Sequence, residues 1–334
     1  MHKKFRYENR LAIPMKIYPL QFTPIFKERI WGGTKLKTVL NKEIPEGKIG
    51  ESWELSTVPG DISVVANGIY KNQNLNELIQ QYPETVLGKK VIEKFGGEFP
   101  LLFKFLDARE DLSIQVHPND ALAKKRHNSF GKTEMWYVMQ ADKQANLIVG
   151  FKENSSQEEY IAKLNDKDVL SLLDTHQVKK GDVFFLETGT VHAIGAGNVI
   201  AEIQQTSDIT YRIYDFDRVD DKGNTRELHT ELALDAINYQ KTDSKVIYSE
   251  IENNSNEVVH CPFFTTHIIP LDGKMEIQKN QDSFVVYMCV EGSFAIKYND
   301  EVFDYKLGET ILLPAALDIF ELKGKGKLLE IYIS

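Results

Sequence analysis

Gly181-Asp-Val-Phe-Phe-Leu-Glu187-Thr-Gly189-Thr-Val-His192 decides how this chain is read. A glycine opens a turn, five residues rich in aromatic and aliphatic side chains form a short strand, a second glycine turns again, and a histidine stands where the next strand begins. The same cadence returns in Gly308-Glu-Thr-Ile-Leu-Leu-Pro314-Ala-Ala-Leu-Asp-Ile319. Downstream, Asn198-Val-Ile-Ala-Glu202-Ile is echoed by Lys327-Leu-Leu-Glu330-Ile. A unit that recurs after about 127 residues predicts two related β-domains. Ile319 stands where His192 would fall, so the second unit is expected to lack a metal ligand there and to serve as a structural partner.

Outward from this segment the chain reads mostly as strands. Residues 62–66, 101–106, 146–151, 182–186 and 199–204 are short runs of branched or aromatic residues bounded by Gly, Pro or Asp. Helical patterning is confined to 75–87, to 155–174 with its capping-box pattern Ser155-x-x-Glu158, and to 118–127 and 229–239. The expected fold class is mainly β, as sandwiches or barrels with a few decorating helices. The polar stretch 241–257 reads as a linker. It divides the chain into a disordered or extended arm over 1–14, a catalytic domain over 15–240 and a C-terminal domain over 241–334. Met15, where ordered alternation begins, is an alternative start of translation.

Composition narrows the partners. The 334 residues carry a formal net charge of −9, whereas a nucleic-acid binder needs a clustered basic surface. A small anion remains allowed, because two or three local cations hold one phosphate in an acidic protein. Cys261 and Cys289 are the only cysteines, which fits a reducing compartment and predicts a cytoplasmic protein. No run approaches the ~18 apolar residues of a membrane span, and the basic N-terminus has no apolar stretch of the secretory type.

Three segments carry groups able to bind a cation. In Ser113-Ile-Gln115-Val-His117-Pro, strand alternation puts Ser113, Gln115 and His117 on one face. Leaving such a polar face buried and unpaired would cost roughly 2–7 kcal/mol. Glu134, in Gly131-Lys132-Thr-Glu134-Met-Trp, adds an oxygen ligand with Lys132 on the same side, and His192 closes the set. Two imidazoles, a carboxylate and an amide oxygen make an open mixed N/O site suited to one catalytic zinc per chain, with manganese, iron or cobalt also compatible.

Gly181-x5-Glu187-x-Gly189-x2-His192 resembles the second motif of the cupin superfamily, and Gln115-Val-His117 followed by Glu134 resembles a stretched first motif. With Pro100-Leu-Leu-Phe-Lys-Phe-Leu-Asp107, Leu112-Ser-Ile-Gln-Val-His-Pro-Asn-Asp120 and Ile30-Trp-Gly-Gly33, the chain is similar to type I phosphomannose isomerase in its short bacterial form. The resemblance implies two cupin-type β-barrel (jelly-roll) domains, the second without metal ligands. It implies a metal-dependent isomerase interconverting mannose 6-phosphate and fructose 6-phosphate, working on a small sugar phosphate as a monomer or homodimer, with no nucleic-acid or membrane partner. His117, Glu134 and His192 match the family's zinc ligands, and Gln115 a fourth. Arg212, Glu202 and Lys132 match catalytic or pocket-lining positions. Ser113 matches one near the phosphate, and Arg218 falls where longer members carry a phosphate-binding lysine. The tyrosine of their His-Ala-Tyr is Ile194 here. Competing readings are a cupin metal-dependent dioxygenase and a non-catalytic sugar-binding double cupin.

Overall fold

The computed structural model describes residues 14–219 and 222–334; the arm expected over 1–14 lies, but for Pro14, outside the described residues. Every strand pair in its three sheets is antiparallel. One seven-stranded sheet runs in the order Lys245–Val246, Val183–Leu186, Glu134–Ala141, Asn198–Gln205, Leu101–Ala108, Ile25–Gly33, Ile49–Leu55. A five-stranded sheet runs Tyr211–Tyr214, Ile114–Val116, His192–Ile194, Asn146–Phe151, Leu173–Gln177. Trp31, Leu106, Trp136, Val138, Leu147 and Val149 form the apolar core shared by the two.

The strands Leu101–Ala108 and Asn198–Gln205 are buried at every residue, because both faces of their sheet are covered. Phe103, Phe105, Met135, Tyr137, Ala201 and Ile203 pack away from the five-stranded sheet, against Leu75, Leu78 and Val86 of two helices and against Phe284, Val286 and Leu329 of the C-terminal sheet. On the same side Glu54 forms a buried pair with Lys42, 2.7 Å apart. The outer face of the five-stranded sheet buries Ile114, Val116 and Tyr211 under Tyr160 and Ala233 of two further helices.

The C-terminal sheet is built on three 14-residue strands, Thr265–Gln278, Val285–Tyr298 and Ile319–Tyr332. Val285–Tyr298 pairs with Thr310–Leu313 along its first half and with Glu301–Lys306 along its second. A register shift between Cys289 and Glu291 separates the halves and bends the sheet around its own core of Tyr287, Phe294, Ile296 and Leu322.

The repeat is present in detail. Gly181 and Gly308 both adopt positive φ, +89° and +86°. Gly181 donates its N–H to the Val138 carbonyl while Val138 N–H returns to Asp182; Gly308 and Glu309 make the same exchange with Cys289. Ile319, at the position of His192, is exposed.

The expected linker is more structured than its composition suggests. Lys245–Val246 pairs with Phe184 and Val183 and extends the first sheet. In return, Leu20–Gln21 pairs with Leu312 and Ile311 of the C-terminal sheet. The expected helix over 75–87 is two, Leu75–Gln81 and Pro83–Leu87, since Pro83 cannot continue the first and instead starts the second. The helix expected from Ser155 is Gln157–Asn165, capped by Ser156, whose side chain accepts from the Glu159 N–H. The run 62–66 supplies only isolated bridges, and the helix expected over 229–239 is only Thr230–Leu234.

Candidate active site and metal centre

Strand register builds the site as two facing rows. On the seven-stranded sheet, Glu202 lies opposite Lys104 on one side and Trp136 on the other, and Lys104 lies opposite Trp53. One step along, Gln204 is opposite Glu134. On the five-stranded sheet, Gln115 has His192 on one side and Arg212 on the other. Alternation sends these polar groups to the space between the sheets, as expected for Ser113, Gln115 and His117.

His117, Glu134 and His192 converge, their ligand atoms lying within 4.8 Å of one another. His117 Nδ1 is 2.8 Å from the Ile209 carbonyl and His192 Nδ1 is 2.8 Å from the Thr190 carbonyl. Each Nδ1–H therefore donates to backbone and leaves the Nε2 lone pair facing inward. Burial, helped by the Lys132 charge, holds both imidazoles neutral: His117 falls well below its usual range and His192 to about 3. Gly189, at φ +90°, makes the turn that brings His192 in; a Cβ there would lie 2.8 Å from the Ala236 carbonyl. The Gly189 N–H donates to the His117 carbonyl, tying the two ligand segments together.

These donors fit a divalent cation. Glu134 Oε1 is 3.4 Å from His192 Nε2 and Glu134 Oε2 is 3.7 Å from His117 Nε2. Tetrahedral ligands at ~2.0–2.2 Å from one ion stand roughly 3.3–3.6 Å apart. Both Glu134 oxygens are buried without a hydrogen bond, although Oε2 lies at ion-pair distance, 2.6 Å, from Lys132 Nζ. The Lys132 ammonium is also 3.0 Å from His117 Nε2, so a positive group already stands against this donor set. Gln115 presents Nε2 to His192 Nε2 at 3.2 Å; as a ligand it would offer Oε1, which a half-turn of the amide brings to the same place.

Beside this centre opens a cavity of about 470 Å³, lined by Ser113, Gln115, Lys132, Glu202 and Arg212 from the expected set. Burial pushes the Glu134 carboxyl up. Burial would do the same to Glu202, but Lys104 at 3.0 Å and the nearby Lys132 outweigh it and hold that carboxyl low and ionised. Desolvation opposes the Lys132 ammonium, yet Glu134 and Glu202 more than offset it and hold its proton firmly. Trp136 Nε1 donates to Glu202 Oε2 at 2.9 Å, while Trp31 and Trp53 line the cavity wall.

Arg218 does not line the cavity. Its guanidinium donates to the Asp215 carbonyl, the Asp215 carboxylate and the Asp111 carbonyl. Arg29, Glu51, Lys104 and Arg226 also line the cavity and were not singled out from sequence. A lysine inside the apolar run Leu101-Leu-Phe-Lys104-Phe-Leu was a legible signal, since a buried ammonium needs carboxylate partners. Arg226 sits in a loop whose sequence has no pattern.

Comparison with known proteins agrees with this geometry. The family profile described as phosphomannose isomerase type I, catalytic domain, matches residues 19–149. The one described as mannose-6-phosphate isomerase, cupin domain, matches residues 254–333. The chain is 38% identical to mannose-6-phosphate isomerase ManA of Bacillus subtilis, over 93% of this chain and 97% of that protein. It is 36% identical to the mannose-6-phosphate isomerase of Streptococcus mutans, over 92% and 95%. A crystal structure of the mannose 6-phosphate isomerase from Bacillus subtilis superposes with a TM-score of 0.87 at 36% identity, covering 94% of this chain and 99% of that one.

Proposed function

Since the chain belongs to the type I phosphomannose isomerase family, we propose that its cavity holds an open-chain hexose phosphate with C1 and C2 beside the metal ligands and the phosphate among the arginines. The chain is a metal-dependent aldose–ketose isomerase that interconverts mannose 6-phosphate and fructose 6-phosphate. His117, Glu134 and His192 would hold the metal, with Gln115 as fourth ligand. Zinc is the ion proposed, because two imidazoles and a carboxylate with an open position are a common catalytic set for it. When bound, the metal supplies Lewis-acid polarisation of the oxygens on C1 and C2.

In the forward direction the C2–H bond breaks, its electron pair forms the C1–C2 double bond, and the C1 carbonyl oxygen becomes an oxyanion. O2 then loses its proton, C1 and O1 each gain one, and the carbonyl forms at C2. Atoms and charge balance with no redox partner. Glu202, kept ionised by Lys104, is the proposed proton acceptor, and such help is typically worth ~10²–10⁴-fold; Lys132, kept charged, is proposed to add fixed positive charge beside the reacting oxygens rather than to give up its proton. Arg212 supplies fixed positive charge to the developing oxyanion. Ser113, 3.3 Å from Arg212 Nε, is proposed at the phosphate end, and Arg218 supports that wall from behind through Asp215.

The observation that carries this reading is the convergence of three buried ligands beside a cavity walled by opposite charges. No helix among the described residues is long and apolar enough to cross a membrane, and both thiols are buried and unpaired; we place the reaction in the cytoplasm, in a monomer or homodimer. The test is a coupled assay of mannose 6-phosphate conversion before chelation, after it, and with zinc restored. Turnover that persists in demonstrably metal-free protein would refute the metal's role.

A further inference from the structure

Three guanidiniums, those of Arg212, Arg218 and Arg226, gather around the buried carboxylate of Asp215. Arg212 and Arg226 line the cavity, as does Asp208, which makes no ion pair among the described residues. Cations in such surplus repel one another unless an anion joins them. We infer that Arg226, from the loop between the strand Tyr211–Tyr214 and the helix Thr230–Leu234, is a phosphate-binding arginine of this enzyme.

Hydrogen-bond accounting separates Arg226 from Arg218. Each of the three nitrogens of Arg218 already donates to a protein oxygen, and Arg218 does not line the cavity. Arg226 gives Nε to Asp215 Oδ2 at 2.7 Å and Nη2 to Asp215 Oδ1. Its Nη1 has no protein acceptor among the described residues, and the side chain lines the cavity. Asp215 thus fixes the plane of the guanidinium and leaves one edge for an oxyanion. Arg212 is built alike: Nε reaches Ser113 Oγ and Nη1 reaches the Glu227 carbonyl, leaving Nη2 unengaged.

The same loop orients both arginines. His229 N–H donates to the Arg212 carbonyl at 2.7 Å, and Arg212 N–H donates to His229 Nδ1 at 3.1 Å. Arg212 and His192 flank Gln115 in one row, so two strand spacings put their backbones about 10 Å apart. The inference rests on the proposed isomerase reading, and binding of inorganic phosphate tests it without turnover.

Titration calorimetry with inorganic phosphate, on the metal-loaded protein, is compared with KM and kcat for mannose 6-phosphate. Arg226→Gln is expected to weaken phosphate binding and raise KM by about tenfold or more, the size of one lost charge-assisted hydrogen bond, while kcat falls much less. Arg218→Gln is expected to cost less than Arg226→Gln on both readings. Arg226→Lys, which keeps the charge and loses the fork, is expected between the unmodified protein and Arg226→Gln, and it serves alone should Arg226→Gln not fold. Phosphate affinity unchanged in these Arg226 variants, or lost equally in Arg218→Gln, overturns the assignment. Failure of the unmodified protein to convert mannose 6-phosphate would instead sink the isomerase reading, and the phosphate comparison would still stand.

Discussion

Arg212 lies directly opposite Gln115 across an antiparallel strand pair, and the other neighbour of Gln115 is His192. The histidine proposed as a metal ligand and the arginine proposed as catalytic, twenty residues apart in sequence, are thereby held two strands apart on one rigid surface. Arg212→Ala should lower kcat by about 10²–10³-fold, the usual cost of one transition-state donor. Its urea midpoint should move little, because the lost contacts to Ser113 and Glu227 are worth only about 1 kcal/mol each. A variant with near-normal kcat would remove Arg212 from the chemistry.

Metal content gives a second check. His192→Ala removes one of three converging donors and is expected to be isolated with little metal and with turnover down by about 10³-fold. Chelation of the unmodified protein should lower its melting temperature, since an ion bound only by the folded state stabilises that state. Full metal occupancy in His192→Ala would show that the ligands lie elsewhere.

The metal-free protein should lose stability in mild acid. Unfolded, His117 and His192 take up protons near 6.5; folded, burial holds His192 down to about 3 and His117 well below its usual range. As pH falls from 6.5 the unfolded state binds more protons, and each histidine erodes stability by about 1.4 kcal/mol per pH unit. Glu134, pushed up by burial, works in the opposite direction over part of that window, leaving a net loss equal to one histidine. Urea unfolding above and below pH 6.5 reads the slope, and His192→Gln should flatten it. Equal slopes in the two proteins would contradict the buried neutral imidazole.

The Lys42–Glu54 pair faces away from the cavity and tests scaffold apart from chemistry. Lys42→Met strands a buried carboxylate and is expected to cost about 3–5 kcal/mol. Adding Glu54→Gln should recover much of that loss, with KM and kcat little changed throughout, as denaturation and kinetics on the single and double variants would show.

The sequence made the repeat, the mainly β class and the convergence of His117, Glu134 and His192 legible, through local patterns: glycine turns, period-two alternation, a histidine after a turn. The alternation of Ser113, Gln115 and His117 translated directly into a shared face. What stayed illegible depends on distant partners. Arg218 and Arg226 both follow the strand Tyr211–Tyr214 and both pair with Asp215; the carbonyls of Asp111 and Asp215 separate the tied-off guanidinium from the one facing the cavity. The strands through Lys104 and Glu202 lack an apolar–polar rhythm because their sheet is covered on both sides. The exchange of Leu20–Gln21 for Lys245–Val246 has no short-range signature at all.

That exchange also sets an order of events during synthesis. Leu20 is among the first described residues to leave the ribosome, and Leu312, its pairing partner, is among the last. Until the C-terminal sheet emerges, the opening segment has exposed backbone donors and acceptors, and the apolar back of the Lys104–Glu202 sheet lacks part of its cover. The nascent catalytic half therefore waits, partly open and prone to association, for a partner that carries none of the reacting groups.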